Sequence, residues 1–257
     1  MIKLIRILVK IKIFKRIIQS LIKKIFYLFK IKNIIIKKDN ILLALNLKNP
    51  IDRQIFFRNN YEAEQIEYLR KLIKRFDIKT FIDIGAHMGI YSTLISKENI
   101  KVFAFEPYKE NYDQLKLNKK LNNLDNLNIY NCALSDKNKN IIMWVSDKEK
   151  TGGMSIFDKN DEELKKYNPN NITKIKSKSL IGDNVLDIIE EYIAIKIDVE
   201  RHEYKVLKGL IKLLKKNFVV IQIELFDERR RDITKYLQEL NFSKFNSIKK
   251  DSYFKNF

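Results

Sequence analysis

A chain of 257 residues, 45% hydrophobic and 32% charged, has material for one large α/β domain with a substantial core. Lys and Arg number 51 against 32 acids, a net charge of +19, and residues 1–38 alone hold twelve basic residues and no acid, so the basicity is mainly N-terminal. The single cysteine, Cys132, excludes an internal disulfide framework and a Cys-based zinc cluster and suits a reducing compartment.

The first thirty residues, MIKLIRILVKIKIFKRIIQSLIKKIFYLFK, repeat apolar side chains at three- and four-residue spacing, with Lys or Arg interrupting every run. The charges are too frequent for a membrane span of roughly 20 apolar residues, and no small-residue cleavage site follows. The pattern predicts a basic amphipathic helix, which either lies on an anionic membrane surface or packs on the body or a partner subunit. We therefore divide the chain into a helical segment, 1–38, and a larger domain, 39–257.

From Tyr61 the periodicities alternate. YEAEQIEYLRKLIKRF predicts a helix with Ile66, Leu69, Leu72 and Ile73 on one side, and it feeds a short buried strand around Phe81–Ile84. A turn, Gly85-Ala86-His87-Met88-Gly89, leads to a helix over Ile90–Lys97. KVFAFEP is a second strand stopped by Pro107, YKENYDQLKLNKKLN a second helix, and LNIYNCAL a third strand. NIIMWVS and NITKIKSKSL are β additions bracketing a polar loop around TGGMSIF. IAIKIDVE and FVVIQIEL are apolar strands joined by one helix, HEYKVLKGLIKLLKKN. Strand and helix in alternation predict a doubly wound, mostly parallel sheet.

Five acids fall at the carboxyl ends of these strands: Asp83, Glu106, Asp198, Glu200 and Glu224. The fold brings them along one sheet edge, where open α/β sheets bind ligands. The glycine turn lacks the middle glycine of G-x-G-x-x-G, which argues against a dinucleotide, yet Glu106 follows Gly85 at the spacing of a ribose-binding acid. Asp83 beside the turn suits an ammonium group. A ligand with an amine and a ribose but no pyrophosphate is S-adenosylmethionine.

FIDIGAHMGIYS, FAFEP, NCALSD and IKIDVERHEYKVLKG, in this order and spacing, resemble the FkbM family of class I S-adenosylmethionine-dependent methyltransferases over about Tyr61 to Leu225. The resemblance implies a Rossmann-like seven-stranded sheet, helices on both faces and the last strand antiparallel. It implies O-methylation of a carbohydrate hydroxyl in a glycan, capsule or lipopolysaccharide, or glycosylated metabolite. By position, Asp83, Gly85 and Gly89 line the methionine end, with Ala86 and His87 in the same turn; Glu106 holds the ribose; Ala133, Leu134, Ser135 and Asp136 lie at the adenine. Asp198 and Glu200 face the acceptor. His87 stands where the family has Asn, and Arg201 where it has Gly after DVE.

Asp198, Glu200 and His202 are the candidate general bases. A histidine at a helix start also hydrogen-bonds locally, and no metal is assigned. Trp144 reads as strand-face packing or a sugar-stacking ring, Gly152, Gly153 and Ser155 as an acceptor-side loop or plain turn chemistry, and Cys132 as a small buried hydrophobe. The leading expectation is a cytoplasmic enzyme at the inner membrane face. The alternatives are an RNA methyltransferase, disfavoured because the basic cluster is N-terminal and greasy rather than spread over a groove, and a non-catalytic membrane-associated scaffold.

Overall fold

The computed structural model describes residues 33–58, 61–145, 173–225 and 227–257, together with Ser20, Leu21, Lys24 and Leu28. The expected N-terminal helix, for the most part, and the Gly152–Ser155 loop lie outside them. In chain order, β1 (Ile34–Lys38) and β2 (Ile41–Leu45) precede helices α1 (Pro50–Arg58) and α2 (Ala63–Arg75). Then come β3 (Thr80–Ile84), α3 (Ile90–Ser96), β4 (Lys101–Phe105), α4 (Lys109–Leu121), β5 (Leu127–Tyr130), β6 (Ala133–Ser135), β7 (Lys139–Val145) and β8 (Thr173–Ile181). The remainder is β9 (Tyr192–Ile197), α5 (Glu203–Lys208), α6 (Ile211–Lys216), β10 (Phe218–Glu224), α7 (Asp227–Glu239), β11 (Ser243–Ile248) and β12 (Asp251–Lys255). No helix among the described residues is long and apolar enough to cross a membrane.

Seven strands form the central sheet in the order β11-β12-β10-β9-β3-β4-β5, and β12 runs antiparallel to both neighbours. The expected fold is thus present, including the reversed last strand. Alternation along each strand divides the core. Phe81, Val102, Ala104, Ala194 and Val220 pack under α2, α3, α4 and the β1–β2 hairpin. Ile82, Ile84, Phe105, Ile195, Ile197 and Ile221 pack under α5, α6 and α7. Burial on both faces is why these strands read as continuous apolar runs rather than alternating ones.

Three expectations need correction. The 38/39 boundary falls inside the tight turn of the β1–β2 hairpin, at Asp39 and Asn40 with φ of 45° and 64°. Ile36, Ile41, Leu43 and Leu45 are all buried, so the folded body begins by Ile34. Its free strand edge is bonded by amide side chains of α4 and its C-cap: the Leu42 and Ala44 amides donate to Asn122 Oδ1 (2.8 Å) and Asn118 Oδ1 (2.7 Å), while Gln114 donates to the Ala44 carbonyl (2.8 Å).

The predicted strand LNIYNCAL is two strands. Asn131 turns its amide onto the Glu106 and Pro107 carbonyls (2.9 and 3.3 Å), ending the ladder with β4, and β6 leaves to pair with β8 in a three-stranded sheet, β6-β8-β7. The single helix expected after His202 is also broken, into α5 and α6. Between them a Cβ on Gly209 would sit 2.0 Å from the Ser135 carbonyl oxygen, so the bare backbone lets β6 pack directly on the break.

Candidate active site

The turn between β3 and α3 is tied to the end of β4 through the amides of Gly85 and Ala86, both donating to the Phe105 carbonyl at 3.0 Å. Gly85 has φ +83°, and a Cβ there would lie 1.8 Å from the Asp198 carbonyl oxygen. Only glycine admits the end of β9 this close. His87 takes φ 52°, a left-handed conformation that Asn, the residue usual there, tolerates more readily.

Glu106 anchors the turn from the neighbouring strand. Its Oε2 accepts the His87 amide (2.8 Å), its Oε1 the Tyr108 amide (2.9 Å), and burial pushes its carboxyl up to about 7 against these bonds. The His87 ring is held by Asn49, whose amide Nδ2 lies 3.2 Å from Nε2. The amide donates, which leaves the ring proton on Nδ1, and burial lowers the imidazole to about 4, so His87 is neutral at physiological pH.

The far side of the cavity is anionic. Asp198, Glu200 and Glu224 each bring a carboxylate oxygen within 4.8 Å of the others. Behind them Lys196, buried and 2.8 Å from Asp198 Oδ2, lies over the Tyr91 ring at 4.7 Å. Burial alone would raise Asp198, but the Lys196 charge and a hydrogen bond from Glu224 hold it below the usual carboxylate value. Burial also works against the Lys196 charge, and Asp198, Glu62, Asp83 and Asp251 outweigh it. Burial and neighbouring carboxylates push Glu200 to about 7 and Glu224 to about 8.

Those two values make a prediction. Both exceed the ordinary 4.5, so the folded protein holds protons that the unfolded chain releases, and this pair's contribution to stability falls as pH rises from about 4.5 to about 8. Thermal unfolding of Glu224→Gln is expected to show a flatter decline than wild type between pH 6 and 9; an unchanged slope would remove Glu224 from the coupled group.

These elements enclose one cavity of ≈ 250 Å³ at the carboxyl edge of the sheet. Of the sequence-predicted residues, Gly85, His87, Glu106, Ala133, Leu134, Asp198, Glu200 and His202 line it. Ala86 is buried in the turn. Gly89 begins α3 with φ +80°, and a Cβ there would strike Leu115. Asp83 lies behind the wall, where Ser92 Oγ donates to it at 2.5 Å. Ser135 and Asp136 likewise do not line the cavity: Ser135 Oγ stands 3.0 Å from His202 Nε2 and 3.1 Å from Asp136 Oδ1, so His202 is tied into a buried polar link. Glu200 and Arg201 both adopt positive φ, 49° and 77°, which accounts for glycine as the usual residue after DVE. Sequence reasoning missed Ile51, Tyr61, Glu62 and Asn49 and gave Glu224 no role; the first three line the wall from the segment before β3, where no motif marks them.

The Methyltransferase FkbM domain model matches residues 83–244. The chain belongs to the FkbM methyltransferase family. This FkbM domain is thereby placed among the methyltransferases. No curated protein matches the chain. Among solved structures it is similar to methyltransferase FkbM from Methylobacillus flagellatus KT, at 15% identity over 70% of this chain and 43% of that one, TM-score 0.46. It is also similar to Pyrococcus abyssi tRNA (uracil-54, C5)-methyltransferase in complex with S-adenosyl-L-homocysteine, at 10% identity over 87% and 44%, TM-score 0.48. A third likeness is to an rRNA methylase from Streptococcus thermophilus, at 10% identity over 74% and 93%, TM-score 0.43. The FkbM domain spans less than half the length of the first two.

Proposed function

We propose that this FkbM domain transfers a methyl group from S-adenosylmethionine to a hydroxyl of a carbohydrate at the inner face of the cytoplasmic membrane. The observation that carries the reading is that one cavity holds both Glu106, braced by two backbone amides beside the glycine turn, and the Asp198–Glu200–Glu224 group. The residues fit the cofactor. The bare backbone at Gly85 admits close approach, Glu106 suits a ribose diol, and Ala133, Leu134 and Phe105 offer apolar surface for an adenine. The excess of carboxylates suits a ligand carrying ammonium and sulfonium charge.

When bound, S-adenosylmethionine supplies an electrophilic methyl group on sulfur. The chain's own part is positioning and proton removal. Glu200, at about 7, takes the proton of the acceptor hydroxyl, while Asp198, charged and paired with Lys196, accepts a hydrogen bond from Glu224 and holds it in place. His202 is committed to Ser135 and serves as a structural link. A cavity with five carboxyl groups on its wall suits a polyhydroxyl acceptor, and the acid-free basic segment 1–38 supports a location at an anionic surface.

The test is transfer of labelled methyl from S-adenosylmethionine by the full chain into fractionated lipid-linked glycan, soluble glycan and RNA. Label is expected in a glycan fraction, at a rate that rises with pH through about 7 as Glu200 loses its proton. Label confined to RNA would overturn the carbohydrate reading and leave the methyltransferase in place.

A further inference from the structure

The antiparallel β7–β8 pair has two unlike faces. Ile141 and Met143, both buried, pack inward with Tyr108, Ala133 and Ile175, and Met143 forms part of the cavity wall. Register sets the other face: Lys178 lies opposite Asn140, Lys176 opposite Ile142, and Lys174 opposite Trp144. The three lysines are exposed, Ile142 is 48% exposed, and Lys174 Nζ sits 4.7 Å above the Trp144 ring. Neither strand contains an acid. A lysine row at two-residue spacing, roughly 7 Å apart, presents an even sheet of positive charge.

We propose that this outer face docks the enzyme on an anionic lipid bilayer. Charge complementarity selects an anionic partner, and the exposed Ile142 beside Trp144 selects a bilayer over a dissolved polyanion. An aliphatic side chain gains by entering the headgroup boundary, a tryptophan ring settles at that level, and lysines extend from flexible stems toward lipid phosphates. Trp144 and Ile142 flank Met143 in sequence, so the strand that walls the cavity is the strand that meets the membrane. Docking in this pose brings the active site to lipid-linked acceptors without a membrane-crossing segment. The inference rests on the membrane reading above and adds a second contact, separate from residues 1–38.

Trp144 is the only tryptophan in the chain, so its emission reports on this face alone. The full chain is titrated with vesicles of phosphatidylcholine, or phosphatidylcholine with phosphatidylglycerol, following both co-sedimentation and tryptophan emission. Sedimentation with the anionic vesicles alone, together with a blue shift and quenching by brominated lipid, is expected. The variant K174Q/K176Q/K178Q is expected to bind on the order of 100-fold more weakly, at roughly 1 kcal/mol per lysine, with methyl transfer to a soluble acceptor unchanged. Sedimentation without an emission change, or equal binding by the variant, would overturn the face and leave residues 1–38 as the membrane contact. No sedimentation at all would overturn both. An emission shift produced by RNA but not by vesicles would assign the face to nucleic acid instead.

Discussion

Lys196→Met is expected to lower the melting temperature by about 10 °C near neutral pH, with the deficit shrinking as the pH falls. The ammonium lies buried against Asp198 and is held charged by Glu62, Asp83 and Asp251 as well. Removing one partner of a buried ion pair costs about 3–5 kcal/mol, because the remaining charges lose their compensation. For a domain of this size each kcal/mol shifts melting by about 2–4 °C. The sign of the pH dependence follows from linkage. Without Lys196 the Asp198 carboxyl moves from below its unfolded value to above it, so the folded variant binds more protons than its unfolded chain. Its stability then falls as pH rises through that raised value and recovers in acid. Thermal unfolding of wild type and variant from pH 5 to pH 8 measures this. A deficit that stays the same at every pH would mean that Lys196 matters for its packed stem, including its contact with Tyr91, rather than for its charge.

Glu106→Ala is expected to weaken S-adenosylhomocysteine binding by on the order of 100-fold, measured by calorimetry. A hydrogen bond to a charged group contributes about 1.5–3 kcal/mol, and the carboxylate would offer the ribose diol such bonds while bracing the turn. Losing it also strands the His87 and Tyr108 amides, so the turn loosens from the same substitution. Glu106→Gln separates the two roles. Its carbonyl oxygen still accepts a backbone amide, so the turn is kept better than in Glu106→Ala while the charged ribose contact is lost. Wild-type affinity in Glu106→Ala would remove the ribose assignment, and wild-type affinity in the Gln variant would reduce it to a brace.

The residues that were readable in advance owe this to local chemistry. A glycine at positive φ, an acid closing an apolar strand and a helix with a 3.6-residue stripe all declare themselves within a dozen residues. Gly85, Glu106 and the Ile66–Ile73 stripe of α2 were legible for that reason. What escaped was set by distant partners. Asn131 ends β5 because its amide finds carbonyls near residue 106, and Gly209 breaks a helix because β6 packs there. Tyr61 and Glu62 reach the cavity only because α2 begins beside β9, and Asn49 meets His87 across 38 positions of sequence. Asp83 had every local sign of a ligand contact, yet it lies buried behind the cavity wall with Ser92 on its Oδ2. The hairpin turn at Asp39 looked like the end of a charged leader because composition changes there, although Ile36 and Leu43 on either side share one core.

The amide side chains of α4 along β2 work like a rack engaging a gear. Four residues of helix advance about 6.0 Å and two residues of strand about 6.8 Å, so Asn122 and Asn118 mesh with Leu42 and Ala44 almost in step. One turn earlier Gln114 does not advance to the next strand position: it donates to the Ala44 carbonyl, on the residue whose amide Asn118 already holds, and to Asp52 Oδ2 at 2.6 Å. Insertions therefore have unequal consequences. One residue added to the loop after α4 leaves the teeth engaged, whereas one added within α4 between Gln114 and Asn122 turns part of the row by about 100° and disengages it. Asn118 also donates to the Met88 carbonyl at 2.9 Å, so a change in this gearing would pass to the glycine turn. The register of α4 against β2 is thus tied to the placement of the glycine turn, because one side chain, Asn118, holds both.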